Sequence, residues 1–547
     1  MSAEKGVRLL SPSAKLLVFA MPLVLVSFVV LVAGPGSSGG LLLSDYSLMR
    51  WNFGFYKKHH LHSRSDQAAG GAVARLAAAG PRMAVLEGHN KQIEEEPSAH
   101  TFVPKMMEVT ATEPAASAPA SLEVSHGHEL NNFTVKDGVD DPPTASKPVI
   151  LPEKALPRRE YTKLDRLEAS LKGARSTIRE GMDNGSTGDP DYIPVGPMYR
   201  NANAFHRSYL EMEKQFKVFV YEEGEPPVFH NGPCKSIYSM EGNFIHMMET
   251  NARFRTRDPE RAHAFFLPFS VVMMVQFVYV RDSHDFGPIK QTVIDYLNVV
   301  STKYTFWNRS LGSDHFMLAC HDWGPEASKA VPRLYKNSIR ALCNANTSEG
   351  FNPSKDVSFP EINLQTGGLR GLVGGPSPSR RPILAFFAGG LHGPIRPVLL
   401  QHWENKKDPE MRIHRYLPRK VSYLDVMKKS KFCICPSGYE VASPRVVEAI
   451  YTGCVPVLIS EHYVPPFSDV LNWKSFSVEV PVKEIPNLKG ILAGISPRQY
   501  IRMQRRVVQV RRHFEVNSPP KRYDVFHMIL HSIWLRRLNV RVHDERL

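Results

Sequence analysis

From about residue 214 the sequence alternates short apolar runs with stretches of helical period, and nothing else in it narrows the fold as much. Short apolar runs bounded by turn residues are strands buried on both faces, and helices between such strands produce parallel α/β sheets. Lys217–Tyr221 (KVFVY), Ala264–Pro268 (AFFLP) and His315–Cys320 (HFMLAC) read as strands, with helices expected over Ser239–Thr250 and Ile289–Lys303. A Gly/Pro/Ser/Arg stretch at Gly367–Arg381 interrupts the series. A second series opens with Pro382–Phe387 (PILAFF). It continues through strands at Met411–Tyr416, Phe432–Cys435 and Val455–Ile459 and helices at Ser422–Lys429 and Pro444–Tyr451. Two Rossmann-like α/β domains are expected, 214–375 and 376–495, the second of nucleotide-binding type. Ligands in such sheets sit at the carboxyl ends of the strands, so two of them facing each other make a cleft.

The preceding text is of another kind. Leu16–Ala33 (LLVFAMPLVLVSFVVLVA) is uncharged, just long enough for a bilayer, and preceded by Lys5, Arg8 and Lys15. It predicts residues 1–15 as a cytosolic tail and 16–33 as a single transmembrane signal-anchor with a lumenal C-terminus; a cleaved signal peptide ending near Ala33 is the rival reading. Residues 34–156, rich in Ala, Pro and Ser, read as a disordered stalk, since between His62 and Arg159 the aromatics are Phe102 and Phe133 alone. Residues 157–213 hold a linker and an amphipathic helix at about Arg158–Met182, where Leu164, Leu167, Leu171, Ala174 and Ile178 recur at helical spacing. With 42% hydrophobic and 22% charged residues in 547, the whole is an ordinary globular composition, which excludes collagen, coiled coil, full disorder and a multi-span membrane protein. All six cysteines lie in the folded part. A lumenal address permits disulfides, and the short Cys433/Cys435 spacing requires at least one of that pair to bond elsewhere. Sequons at Asn132, Asn184, Asn308 and Asn346 suit the same address.

Chemistry concentrates in Pro436–Ile459, PSGYEVASPRVVEAIYTGCVPVLI. Ser443 followed by Pro444 predicts a helix start, whose free N–H groups and dipole suit a phosphate. Arg445 in the first turn adds a bidentate charge for a diphosphate, Glu448 stands where it can accept ribose hydroxyls, and Gly438 permits close backbone approach. Gly389-Gly390, following the first strand of the second half, borders the same place. The alternative for Arg445 and Glu448 is a surface ion pair one helical turn apart.

YEVASPRVVEAIYTGCVPVLIS resembles the donor-site motif of the exostosin-type glycosyltransferases (glycosyltransferase family 47), the plant branch in particular. Tyr221-Glu222, DPERAHAFFLPFS, GSDHFMLACHDWGP and CNANTSEGFNPSKDVSFPEI resemble it too, together spanning about Phe216 to Leu492. The last run is most similar to the branch containing a xylogalacturonan xylosyltransferase. The resemblance implies a GT-B fold with the nucleotide-sugar donor held by the C-terminal domain, and inverting transfer from a UDP-sugar with no cofactor and no essential metal. It further implies a type II Golgi membrane protein and an acceptor among plant cell-wall polysaccharides.

Inverting transfer needs a base for the acceptor hydroxyl. Asp322 and His321 at the end of HFMLAC, Asp314 beside His315, and Glu241 in MEGNF are the candidates. Asp189-Pro190-Asp191 sits in a Gly/Pro linker rather than at a strand end, so it is not read as a metal motif. The His59-His60 and His126/His128 pairs lack further ligands. Residues 496–547 are expected to end the chain in helices. Arg498, Arg502, Arg505, Arg506, Arg511 and Arg512 surround an apolar stripe through Ile501 and Val508, giving either a solvated face or one that attracts an acidic polysaccharide such as pectin, in line with the net charge of +14. No nucleic-acid motif appears. The expected activity is UDP-sugar-dependent transfer of a pentose or hexose. The alternative is a non-catalytic membrane-tethered subunit of a transferase complex, and self-association through the 158–182 helix is open to either.

Overall fold

The computed structural model describes residues 162–182, 189 and 191–543. The predicted anchor and stalk, Asn132 and Asn184 lie outside the described residues. Among the described residues no helix is long and apolar enough to cross a membrane.

Two all-parallel sheets carry the fold. The first has the order β2-β1-β3-β4-β5-β6, with β1 Val218–Val220, β2 Arg255–Thr256, β3 Ala264–Phe266, β4 His315–Ala319, β5 Ile339–Leu342 and β6 Val357–Ser358. The second runs β11-β10-β9-β7-β8, with β7 Ile383–Ala388, β8 Met411–His414, β9 Ser430–Pro436, β10 Val455–Ile459 and β11 Val478–Glu479. Strands β3, β4 and β10 are buried throughout, which is why they appear in the sequence as unbroken apolar runs. Because β9 lies beside β7 while β8 lies on its other flank, the order in which strands are added reverses between β7 and β9, all of them staying parallel. A crevice opens there at the carboxyl ends.

Ten helices matter below: α1 Lys163–Glu180, α2 Ala202–Gln215, α3 Met240–Thr250, α4 Val271–Phe277, α5 Gly287–Lys303, α6 Ile395–Trp403, α7 Tyr423–Lys428, α8 Pro444–Thr452, α9 Pro497–Val510 and α10 Val525–Asn539. The amphipathic α1 starts at a capping box between Thr162 and Asp165 and buries Leu164, Leu171 and Ala174. It packs on the globular body rather than standing free: Arg175 donates to Leu538 O (2.8 Å) and Glu168 accepts from the buried Arg537 (2.6 Å). α10 is buried nearly all round and returns to the first sheet, where Arg537 also donates to His263 O (2.6 Å) and Arg536 to Asp356 O (3.1 Å). α9 stays with the second sheet. Its buried stripe is Tyr500, Met503, Gln504, Val507 and Val510, rotated from the expected one, so Val508 is exposed. Of its predicted basic face, Arg506 is bonded to Ser475 O, Arg511 pairs with Glu515 and Arg512 stacks on Tyr192. Arg498, Arg502 and Arg505 remain in solvent.

Disulfides join Cys320 to Cys343 and Cys433 to Cys454, leaving Cys435 buried and Cys234 exposed as thiols. Asp189 takes a bidentate bond from Arg522 (2.8 and 2.9 Å), which holds its buried carboxyl well below the ordinary range.

Candidate active site

The carboxyl ends of the two sheets meet. Segment 461–467, leaving β10, crosses to the first sheet: Val464 N–H donates to Ala345 O and Phe467 N–H to Ser358 O (both 3.0 Å), while His462 O accepts from Thr347 N–H (3.0 Å). Across the same seam Asn344 Nδ2 donates to Glu440 Oε2 at 2.5 Å.

The second-sheet wall is built on two arginines. Arg445, in the first turn of α8, is only 8% exposed, yet its Nε and Nη1 have no hydrogen-bond partner. Nη2 donates to Ala388 O (2.9 Å) at the end of β7, and the guanidinium lies 4.7 Å from the centre of the Phe387 ring. It is therefore not spent on a surface pair with Glu448, whose Oε2 accepts from Tyr423 OH (3.0 Å) on α7. Burial pushes the Glu448 carboxyl up, against Arg445, Tyr423 and Asn363. Ser443 sits at the N-cap in extended conformation, but its hydroxyl makes no cap bond; Pro444 supplies no N–H and the remaining first-turn amides carry no side-chain cap. Arg396, in the first turn of α6, is the second cation. Its Nε is likewise buried without a partner, and burial together with Arg445 lowers its pKa to about 10. A buried and a half-buried guanidinium group with unbonded donors, beside a helix N-terminus, are built to meet an anion bearing more than one charge.

The glycines fit this reading. A Cβ on Gly389 would lie 2.8 Å from Arg445 Nη2, and one on Gly438 would lie 3.1 Å from Arg396. Gly393, at φ +69°, approaches so closely that its Cβ would stand 1.9 Å from Gly438 O, so the loops after β7 and β9 touch there. Gly390 is less constrained, with only His392 nearby.

The first-sheet wall is acidic and sorts the base candidates. Asp322, just beyond β4, is half-buried beside Tyr238, which donates to it; burial, then Glu349, raises its pKa. His321 accepts from Trp323 N–H at Nδ1 (3.0 Å), and burial lowers its pKa to about 4. The neutral ring therefore carries its proton on Nε2 and has no free lone pair to act as a base. Glu241 is fully buried and its carboxylate accepts from Ser270 Oγ, Val272 N–H, Cys320 N–H and His321 N–H at 2.5–3.1 Å. It ties the end of β4 to the start of α4, with its oxygens taken by these internal donors. Asp314 precedes β4 and so lies at the amino end, away from the crevice, where it bonds His315 and Ser310. The Cys320–Cys343 bond ties the ends of the paired strands β4 and β5, fixing Asp322 next to Asn344.

Of the two described sequons, Asn308 is exposed. Asn346 is 7% exposed and its amide is bonded to Ser348 and Glu349. Sequence reasoning missed Arg396, Glu361, Asn344, Glu440 and Tyr238. Arg396 carried the same signal as Arg445, a basic residue opening a helix just after a strand and a Gly-rich turn. Glu361 and Glu440 lay inside runs already singled out. Among the described residues no group of three or more His, Cys, Asp or Glu is placed to hold a metal ion.

An anion cradle on one Rossmann-like sheet and an acidic wall on the other are the kind of arrangement that suits a group-transfer enzyme. The exostosin GT47 domain matches residues 212–495, both sheets entire, and the chain belongs to that family of glycosyltransferases. A probable glycosyltransferase of Arabidopsis thaliana is 63% identical over 446 residues, covering 81% of this chain and 85% of its own. More distant are two other Arabidopsis thaliana proteins. A probable glucuronoxylan glucuronosyltransferase is 28% identical over 358 residues (59% of this chain, 74% of its own), and a probable beta-1,4-xylosyltransferase is 26% identical over 404 residues (66% and 88%).

Proposed function

We propose that the chain transfers a sugar from a UDP-sugar to a hydroxyl of a plant cell-wall polysaccharide, inverting the anomeric centre, with a GT-B arrangement of its two domains and a signal-anchor in the Golgi membrane. The observation that carries it is Arg445, buried at the start of α8 with two donors unspent and Arg396 beside it. In this reading both arginines and the α8 amides hold the diphosphate, and Glu448 takes the ribose. Asp322 removes the acceptor proton as the acceptor oxygen bonds to C1; the bond from C1 to the diphosphate oxygen breaks, and UDP leaves with its charge met by the arginines. Placing fixed positive charge where the leaving group develops negative charge does the work a divalent cation does elsewhere, so EDTA should not reduce turnover. The named substrates of the relatives, xylan in one case, support a wall-glycan acceptor. UDP release from UDP-xylose, UDP-arabinose, UDP-galactose and UDP-glucuronate, measured on the purified full chain with and without EDTA, tests the reading. Slow hydrolysis of one donor, lost in a folded Arg445→Ala, upholds it. UDP binding without transfer to any wall glycan would favour the tethered, non-catalytic subunit. Failure to bind UDP would sink both.

A further inference from the structure

The surface that leads to Asp322 is aromatic. Tyr238, which donates to Asp322, has its ring centre 4.8 Å from that of His321. His321 lies 5.3 Å from Trp323, and Trp323 lies 4.3 Å from Phe286 and 5.0 Å from Tyr279. These rings come from the segment before α3, the turn after β4 and the loop between α4 and α5, and each keeps part of its surface in solvent. Phe277 and Val280, which bracket Tyr279 where α4 ends, are 55% and 64% exposed. Apolar side chains left in water beside a site mark a binding surface.

The row is held in place before any ligand arrives. Glu241 joins the start of α4 to the end of β4 through Val272 N–H (3.1 Å), Cys320 N–H (2.8 Å) and His321 N–H (2.9 Å). Tyr279 OH accepts from His284 N–H (3.1 Å), and His321 Nδ1 from Trp323 N–H (3.0 Å). Rings fixed in this way stack on a ligand without first losing rotamer freedom.

The charges around the row balance. Arg281, Lys290 and Lys329 stand against Asp282, Asp285 and Glu326, and Glu326 pairs with both lysines (2.8 and 3.0 Å). The exposed arginines of α9 belong with the second sheet. Aromatic faces are electron-rich and meet the C–H bonds on the apolar face of a sugar ring, whereas drying a carboxylate on such a surface is costly. One sugar covers one ring, so a row of rings suits successive sugars of a chain.

We infer that this row is an acceptor subsite that binds an uncharged wall-glycan chain several sugars long. The sugar to be substituted lies at Asp322, and the chain runs out over Trp323 toward Phe277 and Val280. The inference rests on the reading of Asp322 as the base. It sets aside the acidic polysaccharide that the net charge of +14 suggested.

Equilibrium binding tests it without a donor. The full chain is titrated calorimetrically with xylan oligosaccharides, cello-oligosaccharides and oligogalacturonates, each from disaccharide to hexasaccharide, and separately with UDP. A neutral series should bind about tenfold more tightly at the hexasaccharide than at the disaccharide, the order that stacked aromatic contacts contribute, and more tightly than the galacturonates. Phe277→Ser/Val280→Ser alters exposed side chains alone. It should erase the gain with length while UDP affinity and melting temperature stay those of the parent. Trp323→Ala should weaken every length. No binding of either neutral series, no gain with length, a gain unmoved by the double substitution, or galacturonates that bind as well would each overturn the inference. So would a double variant whose only change is loss of self-association, since Phe277 and Val280 would then cover a second copy of the chain. Failure to bind UDP, with these results otherwise as expected, refutes the donor site and leaves the acceptor row standing.

Discussion

Gly389→Ala isolates the diphosphate site more cleanly than removal of an arginine. Gly389 does not adopt a left-handed backbone, so alanine brings no strain of its own. What it brings is a methyl group 2.8 Å from Arg445 Nη2, with Phe387 Cζ 3.2 Å away on the other side. The guanidinium must retreat by several tenths of an ångström, and it is the tip of a side chain, so the fold can yield there. The retreat breaks the Nη2 bond to Ala388 O and tilts the group off the Phe387 face, contacts worth roughly 1.5–3 and 0.5–2 kcal/mol when fully lost. Because the displaced group can find water in the empty crevice, the stability loss should stay near 1 kcal/mol. With UDP bound that escape is closed, and most of the two terms falls on the ligand. Affinity for UDP should drop about 10- to 100-fold, since each 1.4 kcal/mol is about tenfold. Gly390→Ala, whose methyl group meets only the movable His392 ring at 3.1 Å, should bind within about threefold of the parent chain. Calorimetric titration of UDP into the three proteins, with melting curves alongside, reads both quantities. Gly389→Ala binding UDP like the parent at an unchanged melting temperature would show that Arg445 does not hold the diphosphate.

Asp322→Asn should lower turnover by about 10²–10⁴ with UDP affinity little changed, read as initial rates beside a UDP titration. Glu440 holds its proton more tightly folded (about 7) than unfolded (4.5), so it adds stability below about pH 4.5 and withdraws it as pH rises through 7. Glu440→Gln should therefore melt later than the parent at pH 8 but not at pH 4.5, by about 1–2 kcal/mol for this half-buried group. Reducing Cys320–Cys343, which closes a loop spanning 23 positions, should cost about 3 kcal/mol of stability, measured by denaturant unfolding with and without reductant.

Seven of the eleven described strands, β1, β3, β4 and β7 to β10, were legible because a buried strand writes its burial directly into consecutive residues, as in AFFLP or VPVLI, whereas β2, β6 and β11 are two residues each and too short to show a pattern. β5 escaped for an identifiable reason. Arg340 interrupts IRAL with a charge, and the charge is tolerable only because Asp356, sixteen residues on, meets its Nε (3.1 Å) and Nη2 (2.5 Å) in the interior. The second-sheet wall was legible for a related reason, since the helix start, its proline and its arginine are neighbours in sequence. The opposite wall was not. Asp314, His321, Asp322 and Glu241 look alike as residue types, and what separates them is the end of β4 they occupy, the tautomer set by Trp323 N–H, and four donors arriving from two segments. Asn344 and Glu440 belong to different sheets, and their contact exists only once 461–467 has crossed over.

Arg537 has a consequence for where this protein can be cut. The recognisable family domain runs from 212 to 495, yet Arg537, buried under the first sheet, has Glu168 of α1 as its charge partner. The stretch that is inherited as a domain is thus shorter at both ends than the stretch that can exist as a body. A fragment trimmed to the recognisable domain would expose the side of the first sheet that α10 covers; one trimmed at the amino end alone would strand a guanidinium in an apolar interior. Proteases probing the native chain should therefore leave a core that begins near Thr162 and ends beyond Asn539. The ends of that core, far apart in sequence, clasp each other over the first sheet.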